Sequence, residues 1–154
     1  MLRKGDHVVL TTSEGWESPA GTILRVEDVG GGSVKLHSTR TGYVYVLEEY
    51  LSDFHKLFYI KITEKWSHGN SKSVYFVFED DVNIELTDED MENVCEVFLG
   101  YEHTLNSMSE HYRGYNWKHI SREAYIKENA SNNQSERGVV ARYVISDLKR
   151  KKSL

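Results

Sequence analysis

The sequence predicts an α+β protein: a small N-terminal β-barrel, followed by a small α/β domain whose sheet is covered by one long helix. Residues 1–53 contain four or five short β-rich runs separated by glycines, which is typical of a closed or half-closed antiparallel sheet. Residues 91–108 instead carry apolar side chains at spacings of three and four, the pattern of a helix packed on a sheet. The chain of 154 residues can hold two such domains, predicted at 1–53 and 54–154.

The predicted barrel begins with a strand of three apolar residues, Val8 to Leu10, that follows Gly5. Further strands are predicted over 22–26, 34–37 and 43–47, with glycine-containing turns between them. Apolar and polar residues alternate along the last two strands, which places Lys35, Tyr43 and Tyr45 on the outer face. The predicted core comprises Val8, Leu10, Ile23, Val26, Val34, Leu36, Val44, Val46 and Leu51.

The second domain is predicted to open with strands over 57–62 and 73–78, joined by a hairpin loop, and to add a third strand over 83–86. Thr87 and the three acids after it predict the start of a helix. Its apolar stripe is expected to cover the sheet, and a homodimer through residues 91–108 is the alternative. Gly100 is expected to weaken this helix slightly. The stripe consists of Met91, Val94, Phe98, Tyr101, Leu105 and Met108.

The remainder of the second domain is predicted from weaker patterns. We expect an aromatic connector over 111–117, a short helix that starts at Ser121, a polar loop over 131–135 and a strand over 139–145 that returns to the sheet. The chain ends in a basic tail, which consists of Lys149, Arg150, Lys151 and Lys152.

Charge is unevenly distributed along the chain. The formal net charge is −5, and the predicted barrel contains five basic and eight acidic residues. Such a balance argues against nucleic-acid binding by bulk charge alone, so any such binding needs a local patch. Residues 79–96 carry nine acids and no base, whereas residues 137–154 carry six bases and one acid. Two arrangements are open: the acidic segment and the basic end face each other in the fold, or they present opposite surfaces.

Catalytic and metal-binding patterns are absent from the sequence. The single Cys95 excludes a cysteine-based zinc site, and none of the seven histidines has ligand spacing, so we expect no metal and no cofactor. No nucleotide-binding loop or nucleophile elbow is present, so we expect no enzyme. An unrecognised site around Asp80 and His119 is the alternative. Without a membrane-length apolar run or a signal peptide, we expect a cytoplasmic protein with no membrane partner.

A binding surface is predicted on the barrel. Trp16, Tyr43 and Tyr45 supply aromatic faces beside basic side chains, a combination that suits nucleotides or a caged cation. The alternative is that Tyr43 and Tyr45 pack under the second domain. The basic tail is predicted to contact phosphates without a preformed geometry. The basic residues predicted on the barrel are Arg3, Lys4, Arg25, Lys35 and Arg40.

The order of glycines and apolar residues in 1–53 resembles the KOW and Tudor class of SH3-like barrels. That resemblance implies binding of nucleic acids, of ribosomal or polymerase partners, or of modified side chains, although this barrel is less basic than typical nucleic-acid-binding KOW modules. The residues that carry it are Lys4-Gly5-Asp6, Val8, Gly15, Ala20-Gly21-Thr22-Ile23, Val26, Val34-Lys35-Leu36, Val44 and Leu51.

A short acidic chain with such a barrel in front of a compact α/β unit is also similar to the MotB-type DNA-binding early proteins of T-even phages. This similarity implies a phage protein that modulates host DNA or transcription in the host cytoplasm or nucleoid. We therefore expect non-enzymatic, largely sequence-independent binding to the backbone of double-stranded DNA, with host transcription or nucleoid proteins as further partners. The alternative is a protein-interaction module, or an acidic DNA mimic that inhibits host transcription or defence machinery.

Overall fold

The computed structural model describes residues 1–130, which form a mixed α+β protein with a seven-stranded, mostly antiparallel open sheet. This confirms the predicted α+β class. The predicted loop over 131–135, the strand over 139–145 and the basic tail lie outside the described residues.

The strands are β1 (His7–Leu10), β2 (Ile23–Gly30), β3 (Ser33–Ser38), β4 (Gly42–Leu47), β5 (Phe54–Trp66), β6 (Ser71–Asp81) and β7 (Tyr112–His119); the helices are a 3-10 helix (Glu48–Asp53), α1 (Asp88–Ser107) and α2 (Arg122–Ala130). The sheet order is β4-β3-β2-β1-β5-β6, and β7 pairs with β5.

Backbone contacts divide the chain into two compact units. The first unit comprises Met1–Phe58 and Glu79–Glu85, and the second comprises Tyr59–Phe78 and the chain from Leu86 onward. The first unit thus extends beyond residue 53. Phe54, at the start of β5, and Val82 both belong to its apolar core, so a segment distant in sequence is part of this unit.

The core of the first unit is built around β1, which pairs with β2 on one edge and with β5 on the other. All four residues of β1 are buried, so both faces of this strand are covered. The register sets Leu24 opposite Val8, and Leu24 is buried in the core while Ile23 is only half-buried. The predicted core position at Ile23 was therefore wrong by one residue. The core consists of Leu2, Val8, Leu10, Leu24, Val26, Val34, Leu36, Val46, Leu51, Phe54 and Val82, with Val44 packed against it.

The turn between β2 and β3 consists of two glycines. Gly31 and Gly32 have φ angles of 63° and 78°, in the left-handed region that residues with a Cβ rarely adopt. A two-residue loop with two positive φ angles matches the right-handed twist of the strands it joins. This turn fixes the register that sets Val34 beside Val29.

In the second unit α1 packs against the sheet, as predicted. Thr87 caps the helix, because its side chain accepts the Asp90 backbone N–H at 3.1 Å while the Asp90 carboxylate accepts the Thr87 N–H at 3.0 Å. Met91 and Val94 are buried, and the ring of Phe98 stacks on Phe76 of β6 at 4.4 Å. The first half of the helix thus supplies apolar cover for the sheet.

Gly100 interrupts α1 more strongly than the sequence predicted. Its φ of 64° and ψ of −148° are not helical, so the helix is kinked there. Beyond the kink Leu105 and Met108 are exposed. Because Met91 and Val94 are buried within their own unit, the proposed homodimer could use only the end of the stripe and not the whole of 91–108.

Two further elements differ from the prediction. Residues 83–86 form a turn and an irregular segment rather than a strand. Residues 112–119 form β7, which pairs with β5, where an aromatic connector was predicted. The short helix is present, and the hydroxyl of Ser121 accepts the backbone N–H of Ala124 at its start. Neither α-helix within residues 1–130 is long and apolar enough to cross a bilayer.

Candidate nucleic-acid interface

The outer face of β2, β3 and β4 carries two exposed tyrosines and several basic side chains. Cross-strand pairing sets Arg25 opposite His37 and His37 opposite Tyr43, and it sets Lys35 opposite Tyr45. Directly opposed residues project from the same face of a sheet. Tyr43 and Tyr45 are 61% and 69% exposed. The ladder therefore gathers these five side chains on one face, here called the outer face.

Lys35 lies between the two tyrosines. Its ammonium is 4.5 Å from the ring centroid of Tyr43 and 5.7 Å from that of Tyr45, within the range of cation–π attraction. The ring of His37 lies 4.5 Å from that of Tyr43. These contacts hold the tyrosine rings against the sheet at little cost in side-chain freedom, so the rings form a prepared aromatic surface with a positive charge at its centre.

A carboxylate partly neutralises one end of the outer face. Arg25 donates through Nε and Nη2 to the Glu27 Oε1 at 3.0 and 2.7 Å. This hydrogen bonding lowers the pKa of Glu27; burial opposes the effect, and the charges of Arg25, His37 and Lys4 reinforce it. Lys4 thus acts electrostatically on the same region. On the outer face the charge of Lys35 is therefore more available to an anion than that of Arg25.

A cleft of about 520 Å³ also opens in the first unit, between the loop 15–19 and the β3–β4 turn. Trp16 lines it, with Arg40, Thr41 and Val44 on the other side. The Trp16 indole Nε1 donates to Asp53 Oδ2 at 2.8 Å, and its ring meets Phe54 edge-on at 5.1 Å. Trp16 is therefore a fixed, half-buried wall rather than a free stacking plate.

The structure separates residues that the sequence placed on one surface. Val44 lines the cleft, and its neighbours Tyr43 and Tyr45 project from the opposite face of β4. Trp16 and Arg40 thus belong to the cleft, whereas Arg25, Lys35, Tyr43 and Tyr45 belong to the outer face. Arg3 and Lys4 are exposed in the turn before β1. Lys149, Arg150, Lys151 and Lys152 lie outside the described residues.

Sequence reasoning missed two members of the outer face, His37 and Glu27. The alternation that assigned Lys35 to this face also applies to His37, two residues further along β3, so the signal was present. Glu27 lies at an irregularity in the pairing of β2 with β3, between Val26 and Asp28, which no local pattern predicts.

The remaining candidates from the sequence are a metal site and a catalytic site around Asp80 and His119. Within residues 1–130 no three histidine, cysteine, aspartate or glutamate side chains form a group that could hold a metal ion. Asp80 and His119, the alternative catalytic pair, belong to different compact units. Comparison of the chain with protein-family models, curated proteins and solved structures finds no match. The function is therefore inferred from the geometry of the described residues alone.

Proposed function

We propose that the protein is a non-enzymatic DNA-binding protein that contacts double-stranded DNA through the outer face of its first unit, largely independently of sequence. The observation that carries this proposal is the pair of exposed tyrosines with the Lys35 ammonium between them. The lysine ammonium group and the tyrosine hydroxyl groups can donate hydrogen bonds to phosphate oxygens. Such contacts position a duplex without reading its bases. Exposed rings can in addition stack on unpaired bases.

The connectivity of the first unit supports an SH3-like barrel of the KOW or Tudor type as the scaffold. Four short strands form an antiparallel meander, and a 3-10 helix then leads into β5, which pairs back with β1. A sheet that returns to its first strand is what a small barrel requires. We further propose an early phage protein of the MotB type, acting on host DNA or transcription in the host cytoplasm or nucleoid.

The local charges support moderate, salt-sensitive binding. The outer face supplies Lys35, while Glu27 holds Arg25, and Lys4 in the turn before β1 adds a charge that acts on Glu27. Arg3 and Arg40 are exposed elsewhere in the first unit and add to its positive charge. Because the chain as a whole carries −5, we propose that the basic tail assists the outer face.

Fluorescence anisotropy with a labelled duplex and with its single strand tests the outer face. We expect Tyr43→Ala/Tyr45→Ala to weaken binding at least several-fold, since each stacked base contributes about 1–3 kcal/mol and phosphate contacts are lost as well. Tyr50→Ala is the matched control, because Tyr50 is exposed in the 3-10 helix and outside the strand ladder. Equal affinity for both variants would exclude the outer face as the DNA site.

The salt dependence of DNA affinity tests how much the basic tail contributes to binding. For duplex DNA, log affinity falls with log salt by about 0.9 for each phosphate contact. Replacing Lys149, Arg150, Lys151 and Lys152 by alanine should reduce that slope while the tyrosine variant retains most of it. Binding that is absent at low salt, or indifferent to salt, would refute a DNA-binding function.

A protein-interaction module is the second candidate function. Leu47 and Tyr50 are 52% and 51% exposed, which supplies apolar surface suited to a protein partner. The acidic segment 79–96 supports a DNA mimic less well, because Glu79, Asp80 and Asp90 are buried. Nuclease-resistant capture of host transcription proteins that Leu47→Ser/Tyr50→Ala abolishes, with DNA affinity unchanged, would favour this candidate.

A further inference from the structure

The helix-facing side of β7 carries a second set of aromatic residues. Pairing sets Trp117 opposite Ile62 and Tyr115 opposite Glu64. Ile62 and Glu64 are buried, so Tyr115 and Trp117 share the face of the sheet that is covered. Tyr112 follows on the same side, where its ring meets that of Trp66 edge-on at 5.5 Å. These three rings are half-buried, and they line an open cleft of about 460 Å³ within the second unit.

The helix side of this cleft carries one carboxylate. Glu92 and His103 of α1 line this side, and Asn116 belongs to β7. Burial raises the pKa of Tyr115 to about 12, and the charges of Glu96, Cys95 and Glu92 contribute in the same direction. The phenol of Tyr115 therefore stays protonated and lies in a negative field. Aromatic faces in such a field favour a positive charge.

A smaller cleft of about 190 Å³ shares His103 with the first and contains the carboxylate of Glu64. Glu64 is 4% exposed, and its Oε2 accepts the Asn106 Nδ2 at 3.3 Å. The Tyr112 hydroxyl is 3.4 Å from the His103 Nδ1. Burial, followed by a hydrogen bond with Glu64, raises the pKa of Tyr112 above its usual range. Lys72 also lines this smaller cleft, so the carboxylate of Glu64 lies there near one cation as well as near neutral donors, and the smaller cleft is not part of the proposed site.

We propose that the cleft lined by Tyr112, Tyr115, Trp117 and Glu92 binds a small organic cation of the ammonium class. The three aromatic side chains attract the cation through their faces, and Glu92 balances its charge. A metal ion would be held poorly, because rings are not metal ligands and Glu92 is the one carboxylate on this wall. The cleft volume lies within the range of small-molecule sites. This inference is independent of DNA binding, since it uses side chains of the second unit only.

The indole N–H resonances of the three tryptophans provide the readout, with Trp117→Phe to assign the resonance of Trp117. The probes are choline and its neutral isostere, in which carbon replaces the ammonium nitrogen. We expect choline to shift the Trp117 resonance in a saturable manner and the isostere to shift it far less. Equal shifts from both, or a choline titration that leaves Trp117 unmoved at saturating concentration, would overturn the proposal.

Glu92→Gln tests the role of the carboxylate without disturbing the core, because Glu92 is exposed. Its matched control is Glu89→Gln, which removes the same charge from an exposed position in the first turn of α1. We expect the choline affinity to fall about two- to fivefold in Glu92→Gln and to stay near wild type in Glu89→Gln. Equal losses would show a diffuse charge effect and refute the site.

A final titration with a lysine-containing peptide, its lysine bearing three Nζ methyl groups, examines the source of the cation. Choline affinity equal to or higher than that of the peptide supports a small-molecule ligand. A clear preference for the peptide would overturn that assignment in favour of a protein side chain.

Discussion

The two units each carry a pair of tyrosines on a strand, in opposite electrostatic surroundings. In the first unit Tyr43 and Tyr45 are exposed and flank the Lys35 ammonium. In the second unit Tyr112 and Tyr115 are half-buried, and carboxylates raise the pKa of both hydroxyl groups in addition to burial. The difference teaches that similar aromatic residues acquire opposite electrostatic surroundings from their neighbours. The proposed anionic partner of the first unit and the proposed cationic ligand of the second unit follow from this difference.

The largest difference between the two tyrosine pairs is expected in their contribution to the stability of the fold. Tyr112→Phe removes a hydroxyl that hydrogen-bonds the buried Glu64, and the unfolding free energy should fall by about 1–3 kcal/mol. Tyr43→Phe is the matched control, since the Tyr43 side chain is largely exposed, and it should change stability by less than about 0.5 kcal/mol. Urea denaturation measures both. Equal effects would show that the two pairs do not differ in burial of their hydroxyl groups.

Charge reversal at Lys35 tests the proposed anionic partner. Lys35→Glu places a carboxylate between Tyr43 and Tyr45, and DNA affinity should fall by about tenfold at low salt, since attraction to phosphates becomes repulsion. Lys65→Glu makes the same change at an exposed position of the second unit and should lower the affinity far less. Anisotropy titrations compare them. Indistinguishable losses would mean that only net charge matters.

Alkaline titration tests the negative surroundings of Tyr115. Its pKa is raised to about 12, so tyrosinate absorbance should contain a late step that Tyr115→Phe removes. A raised pKa means that the folded state holds this proton more tightly than the unfolded chain. The resulting stabilisation is complete below the ordinary tyrosine pKa of about 10 and is lost as pH rises toward about 12. A titration curve that Tyr115→Phe leaves unchanged would contradict this.

The smallest effect is expected at His55, a half-buried histidine of the first unit that lies near carboxylates. His55 Nδ1 lies 3.9 Å from Glu79 Oε1, and the pKa of His55 is raised by its interaction with Glu79 and by the charges of Asp80 and Asp81, against burial. Its stabilising contribution is therefore complete below about pH 6.5 and is lost as pH rises through the raised pKa. The melting temperature of the wild type should decline over this range relative to that of His55→Gln. Parallel profiles would refute the coupling.

Local patterns predicted the parts of the molecule that depend on local sequence. Alternation in β3 and β4 oriented Lys35, Tyr43 and Tyr45 correctly, and Thr87 marked the start of α1. The strand β7 was missed because its aromatic and polar residues lack an aliphatic alternation, and because its pairing partner in β5 is about fifty residues away.

The grouping of site residues was less predictable than their orientation. Trp16 is separated from Tyr43 because its indole donates a hydrogen bond to the Asp53 carboxylate. The two residues of that contact are 37 positions apart in the sequence. The smaller cleft of the second unit contains Glu64, which follows the buried residues Ile60 and Ile62 at the period of a strand. That period was visible, but a buried carboxylate needs donors from Asn106 and Tyr112, and sequence alone does not show that these lie nearby.

The discontinuous first unit has a consequence for synthesis on the ribosome. Its core includes Leu2 near the start of the chain and Val82 far beyond β5. An emerging chain that ends at residue 58 still lacks Val82, and the intervening hairpin must be made before this core closes. Contacts between residues so distant in sequence form slowly, so the N-terminal strands stay open to chaperones or to wrong partners while about twenty more residues are translated.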